Sequence, residues 1–207
     1  MTAAGLYEDG AGDVTLEEFE VTAAAATVTK EVSGSCGPKA EYTIWYYDDG
    51  NVNMMISGTG AVTSTPWFNN NTYDVTYAWV QTGITSLPDE MFGKFGKYHQ
   101  SLKKVLIGDS VTSIGENCFY GCERLTDVTL SSGLKEIPLR AFDYCTALTS
   151  ISLPSGVTSI GKAAFAYCTG LKSIELPAGL TTIGESAFHR CTALSSINLP
   201  STALLFG

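Results

Sequence analysis

The sequence predicts an α/β solenoid: a right-handed coil of 23-residue repeats, with parallel strands on one face and short helical turns on the other. Three observations carry that prediction. Leu102, Leu125, Leu148 and Leu171 recur every 23 residues, and Leu194 opens a partial further copy. In each interval an apolar pair at strand spacing stands just after the leucine, with a proline, a glycine or both close behind. A phenylalanine and a cysteine then return at helical spacing before the next leucine.

The elements follow in order, with the leading leucine as offset zero. Val105, Val128, Ile151, Ile174 and Ile197 share offset 3, while Ile107, Leu130, Leu153, Leu176 and Leu199 share offset 5. Side chains two apart on a strand point to one face, so these pairs are read as the inward edge of a strand. Pro154, Pro177 and Pro200 come next and stop the strand, because proline cannot donate to a ladder. Gly133, Gly156 and Gly179 are assigned to a turn position that tolerates positive φ. Ile114, Ile137, Ile160 and Ile183 at offset 12 supply another inward residue. A short helical turn is expected over Phe119, Phe142, Phe165 and Phe188 at offset 17 and Cys122, Cys145, Cys168 and Cys191 at offset 20, with Pro138 at its first position in the second copy. One copy buries too little apolar surface to offset the entropy of ordering it, so the copies must stack into a continuous core.

Composition narrows the functional classes. The chain has 207 residues, 44% of them apolar, and carries 12 basic against 21 acidic side chains for a formal charge of -9. That field repels phosphate backbones and anionic membrane surfaces, so no nucleic acid is expected as a partner. No apolar run is long enough to cross a bilayer, so no membrane insertion is expected. The first residues show neither a basic region nor an apolar core. If the protein is exported, its leader has been removed.

The pattern L-x-x-I-x-L-P-x-G-V-T-x-I-G-x-x-A-F-x-x-C, as in "LTSISLPSGVTSIGKAAFAYC" from Leu148 to Cys168, resembles the BspA-like leucine-rich repeats of bacterial cell-surface proteins. Upstream, "SGSCG" at 33–37, "MISGTGAV" at 55–62 and "PWF" at 66–68 are similar to the segment that precedes such repeats in that family. The organisation read from this is an unassigned segment 1–32, a β-rich cap 33–74 and a repeat domain 75–207. Within it, 75–101 is a divergent repeat, 102–124, 125–147, 148–170 and 171–193 are regular, and 194–207 is partial. The divergent copy aligns through Ile84, Leu87 and Phe92, runs four residues long, and has Phe95 in place of cysteine. In the partial copy Phe206 and Gly207 take the Ile-Gly positions. The resemblance implies a secreted or surface-displayed protein that binds host extracellular-matrix or cell-surface proteins or glycans. A structural spacer within a longer surface protein is the alternative.

Chemistry-bearing constellations are sparse. Four of the six cysteines sit at one repeat offset beside the core phenylalanine, which suits small buried thiols; Cys36 lies outside that ladder. Cys118 and Cys122 stand four apart, with no second pair at zinc spacing. "DGNVN" at 49–53 opens like a calcium loop but lacks the glycine and glutamate such a loop needs, so "YYDDGNVN" reads as a hairpin. His99 and His189 share no context with a nucleophile, and the acidic run 13–20 reads as a solvated face. Asn70-Asn71-Thr72 is a formal glycosylation sequon in a loop. No catalytic residue, metal site or cofactor is assigned, and no enzymatic activity is expected. The candidate binding face comprises the outward strand positions Lys104, Leu106, Asp127, Thr129, Ser150, Ser152, Ser173, Glu175, Ser196 and Asn198. The same residues equally suit a soluble strand surface without a ligand. The aromatic cap, with Trp45, Tyr46, Tyr47, Trp67 and Phe68, is the rival surface.

Overall fold

The computed structural model describes residues 26–66, 75–93 and 101–205. The acidic run 13–20, Trp67, Phe68, the sequon 70–72, Phe95, His99, Phe206 and Gly207 lie outside the described residues. The chain enters through β1 (Val28–Ser35), β2 (Ala40–Tyr47), β3 (Val52–Gly58) and β4 (Gly60–Ala61). The divergent repeat supplies β5 (Tyr77–Val80) and β6 (Ile84–Ser86), and β7 (Lys104–Ile107) and β8 (Asp127–Thr129) follow. Short strands then alternate: β9 (Glu136–Ile137), β10 (Ser150–Ser152), β11 (Ser159–Ile160), β12 (Ser173–Glu175), β13 (Thr182–Ile183) and β14 (Leu204–Leu205). The result is a β-solenoid of about 5 turns.

Two rows of strands line the coil, parallel throughout the repeats. The first row is the six-stranded sheet β1-β2-β3-β5-β7-β8, continued by the pair β10-β12. The second row starts with β4-β6, passes through a parallel bridge Ser86↔Ser113, and runs on as β9-β11-β13-β14. Register follows the 23-residue period: Ile151 opposes Ile174, and Ile160 stands between Ile137 and Ile183. The cap is built into the first row. Its hairpin β1-β2-β3 is antiparallel, and β3 then pairs parallel with β5, Met54 opposite Ala78 and Ile56 opposite Val80. The cap thus occupies the sheet edge that the first repeat would otherwise leave open. The turn between β2 and β3 is closed by Asp49, whose carboxylate accepts the Asn51 backbone N–H at 2.9 Å and its side-chain amide at 2.7 Å. Gly50 takes the left-handed position there, with φ of 84°.

The third side of the coil departs from the sequence expectation. Among the described residues there is no α-helix, so the expected short helical turns over the Phe and Cys offsets are absent. Each repeat instead places a left-handed residue at offset 15 (Asn117, Arg140, Ala163, Ser186) and another at offset 19 (Gly121, Tyr144, Tyr167, Arg190). This alternation turns every other N–H toward the next repeat. Arg140, Phe142 and Tyr144 donate to the carbonyls of Lys162, Ala164 and Ala166 at 3.0, 2.8 and 2.9 Å. Asn117, Phe119 and Gly121 do the same to Leu139, Ala141 and Asp143. A left-handed non-glycine residue costs about 1–2 kcal/mol, and three buried unpaired N–H groups would cost roughly 1–3 kcal/mol each. Pairing between repeats therefore outweighs the strain. Pro138 marks the start of this turn segment rather than a helix, its carbonyl accepting from Ala141 N–H at 3.2 Å.

Inside the coil the side chains repeat with the backbone. Phe92, Phe119, Phe142 and Phe165 are fully buried. They stack with Phe188 at centroid separations of 5.4, 4.9, 5.3 and 5.5 Å and interplanar angles of 11° or less, each pair contributing about 0.5–1.5 kcal/mol beyond burial. The cysteines beside them also bond. The thiols of Cys122, Cys145, Cys168 and Cys191 donate to the carbonyls of Phe92, Phe119, Phe142 and Phe165, one repeat back, at 3.4, 3.3, 3.1 and 3.1 Å. All six cysteines are buried and free. Burial pushes the Cys118, Cys122, Cys145 and Cys168 thiols far up, and those of Cys36 and Cys191 up to about 11.

Two further expectations are corrected. Gly133, Gly156 and Gly179 do not adopt positive φ; among the described residues the positive-φ glycines are Gly50, Gly58, Gly60, Gly83 and Gly121. Crowded glycines recur at offset 13, where a Cβ on Gly161 would stand 2.7 Å from the Leu139 backbone nitrogen. There the hydrogen-bonded turns of adjacent repeats touch. In the partial repeat Leu205, not Phe206, pairs opposite Ile183, because the chain there is one residue shorter between proline and strand.

Gly161→Ala is expected to lower the denaturation midpoint by the equivalent of about 1–3 kcal/mol, as overpacking does. Gly179→Ala, whose Cβ would meet its nearest atom at 4.0 Å, is expected to raise it by about 0.4–1 kcal/mol through the unfolded state. Equal effects in urea titrations would contradict the contact geometry. Cys118, Cys122, Cys145 and Cys168 are expected to resist a disulfide reagent at pH 8 in the native protein, with all six thiols titrating in guanidinium chloride.

Candidate functional site

The candidate face is the outward side of the first strand row. Side chains alternate across a strand, so the inward rows Ile44-Met54-Ala78-Val105 and Ile56-Val80-Ile107 leave their neighbours facing out. Lys104 and Leu106 lie on β7, Asp127 and Thr129 on β8, Ser150 and Ser152 on β10, and Ser173 and Glu175 on β12. The register puts Lys104 opposite Asp127 and Leu106 opposite Thr129. Ser150 faces Ser173, and Ser152 faces Glu175. Asp127, Thr129, Ser150, Ser152, Ser173 and Glu175 are exposed, whereas Lys104 is half-buried.

Three of the ten candidates differ from the reading of the sequence. Leu106 is 4% exposed and so is no contact residue. Ser196 and Asn198 are exposed but lie in no strand, since the first row ends at β12. The physical reason is visible in the same stretch: Leu199, at the offset of the buried Leu130 and Leu153, is 45% exposed. Without that inward anchor the extended segment does not dock on β12.

The cap and the strand face form one surface rather than two rivals. On β5 the outward positions are Tyr77 and Trp79, paired with Lys104 and Leu106 on one side and with Asn53 and Met55 on the other. Trp45 continues the row on β2, opposite Asn53, and its indole N–H donates to the Glu31 carboxylate at 3.1 Å. Tyr46 points the other way and packs against the core. Met55 is 5% exposed and, like Leu106, lies outside the main core cluster. An apolar and aromatic patch thus sits at the cap end of the face, and small polar side chains fill the rest. Tyr77 and Trp79 were legible: they occupy offsets 2 and 4 of the divergent repeat counted from Val75.

A second feature escaped the column-by-column alignment. On the turn side, Tyr120, Tyr144, Tyr167 and His189 form a continuous aromatic stripe. Tyr144 and Tyr167 stack at 4.4 Å, and Tyr120 and His189 meet this pair edge-on at 5.9 and 5.5 Å. Tyr120 and His189 stand at offset 18 and the other two at offset 19, so no single column holds the stripe. His189 is exposed there. No group of three or more metal-ligating side chains occurs among the described residues, and no described helix is long and apolar enough to cross a membrane.

Comparison with known proteins fits this geometry. The family model of the BspA type leucine rich repeat region, in six copies, matches residues 85–207. A leucine rich cell surface protein of Faecalibacterium prausnitzii A2-165 is similar in structure, at 30% identity and a TM-score of 0.60 over 76% of this chain. A leucine rich repeat protein of Treponema pallidum is 26% identical, with a TM-score of 0.58, covering 76% of this chain and 68% of that one. The chain spans only 37% of the length of the Faecalibacterium protein. Comparison with curated proteins gives no match. With more than half of its residues matched by that model, the chain belongs to the BspA-type leucine-rich repeat family.

Proposed function

We propose that this chain is a non-catalytic binding module of a secreted or surface-displayed bacterial protein, and that it holds a host extracellular-matrix or cell-surface protein or glycan. The observation that carries the reading is the outward face of the first strand row. Asp127, Thr129, Ser150, Ser152, Ser173 and Glu175 are exposed on short strands held in fixed register. Side chains on a rigid sheet lose little further freedom on binding, which favours recognition by preorganisation. The surface location of the similar Faecalibacterium protein supports the setting. A structural spacer within a longer surface protein is the second reading, favoured by the 37% share of that relative which the chain spans.

The purified chain is expected to bind saturably on an array of matrix proteins and mucin glycans. Asp127→Lys combined with Glu175→Lys, both at exposed positions, is expected to weaken that binding at least about tenfold, chiefly where the partner is charged. Binding untouched by the double change would move the site to the cap or the tyrosine stripe. No binding to any array member would favour the spacer.

A further inference from the structure

Asp143 is anomalous in this coil. It is 4% exposed, the single charged side chain among the buried described residues, at an offset where the neighbouring repeats carry Tyr120, Ala166 and His189. Its Oδ1 is buried without a hydrogen-bond partner, and its Oδ2 stands 3.7 Å from Arg140 Nε, beyond a good hydrogen bond. Its backbone is part of the turn ladder. The Asp143 carbonyl accepts the Gly121 N–H at 2.8 Å, and its N–H donates to the Arg140 carbonyl at 3.2 Å. Burying a carboxylate with one oxygen unpaired is unfavourable, whereas the protonated acid loses most of that penalty.

We propose that Asp143 is a pH sensor built into the turn ladder: uncharged, it tightens the contact between the first two regular repeats; ionised, it loosens that contact.

Among the described residues, the titratable groups facing it leave Arg140 as the one charged neighbour. From the preceding repeat comes Tyr120, whose phenol is pushed up by burial and then by Asp143. In its own repeat, burial raises Tyr144 and Cys145, and in the following repeat Cys168. All four are neutral at and below neutral pH. Burial outweighs the Arg140 guanidinium and the Tyr144 backbone contact, and brings the Asp143 carboxyl up to about 6 from its ordinary 3.8. The folded state therefore binds the proton more tightly than the unfolded chain does. Stability from this group is full below about pH 4 and is lost as pH rises through about 6.

The test is stability against pH for the wild type, Asp143→Asn and Asp143→Ala. Alanine is the residue the next repeat carries at this offset, so it serves if the amide fails to fold. The substituted proteins are expected to gain on the wild type at pH 7.5, by up to roughly a hundredfold in the folding equilibrium constant, with the gain shrinking toward pH 4.5. Asp127→Asn, at an exposed position, serves as the control and is expected to leave the pH profile unchanged. Hydrogen exchange at the Gly121 amide, corrected for intrinsic pH dependence, is expected to slow in acid in the wild type only. Parallel stability profiles for wild type and both Asp143 variants, or Gly121 exchange that ignores the substitution, would overturn the proposal.

Discussion

Everything in this coil depends on one constraint: the polar backbone of each 23-residue turn can be satisfied only by the turns beside it. Apart from tight turns, the N–H groups of a repeat point along the solenoid axis. On two sides strands in register meet that demand, and on the third the alternating left-handed turns do. A short helix on the third side would have bonded within itself, leaving nothing to join the copies there. Pairing across repeats is stronger in aggregate, and the chain accepts two strained residues in nearly every turn to obtain it.

Side-chain choice follows from the same spacing. With neighbours about 4.8 Å apart, identical side chains stack, and those that stack well are flat or carry a small group that reaches the adjacent backbone. Phenylalanine does the first. Cysteine and threonine do the second: buried thiols bond to Phe carbonyls, and Thr158 and Thr181 hydroxyls bond to the Lys135 and Thr158 carbonyls one repeat back. The cysteine ladder is thus a hydrogen-bonding device in an apolar core. Its thiols, raised by burial, are poor nucleophiles.

The architecture also shapes what can be presented to a partner. The first strand row holds its outward side chains in fixed register, and the cap extends that face by three strands that the repeats alone would lack. An aromatic patch at one end and small polar residues at the other give the face two chemistries. The turn side offers a third surface, the tyrosine stripe, in which Tyr144 and Tyr167 stack and Tyr120 and His189 meet them edge-on. Asp143, the one buried charged side chain among the described residues, lies beside Tyr144 of that stripe in sequence and beside Tyr120 in the turn ladder.

The amino-acid sequence by itself determined the period, the stacking of copies, the inward residues and the family, because each of these is a recurrence along the chain. Ile151 opposite Ile174 and Phe142 on Phe165 follow from counting to 23. The hairpin at Asp49-Gly50 was legible from turn chemistry alone. What only the tertiary structure decided concerns partners far apart in the chain. Ala, Phe and Cys at offsets 16, 17 and 20 read as helix until the neighbouring repeat offers its carbonyls. Leu106 reads as an exposed position until Trp79 and Met55 are seen beside it in the same face. The Leu139 backbone that stands against Gly161 belongs to the neighbouring repeat and is set by stacking alone. Periodicity reports which residues are equivalent; only the stacked coil reports what each of them touches.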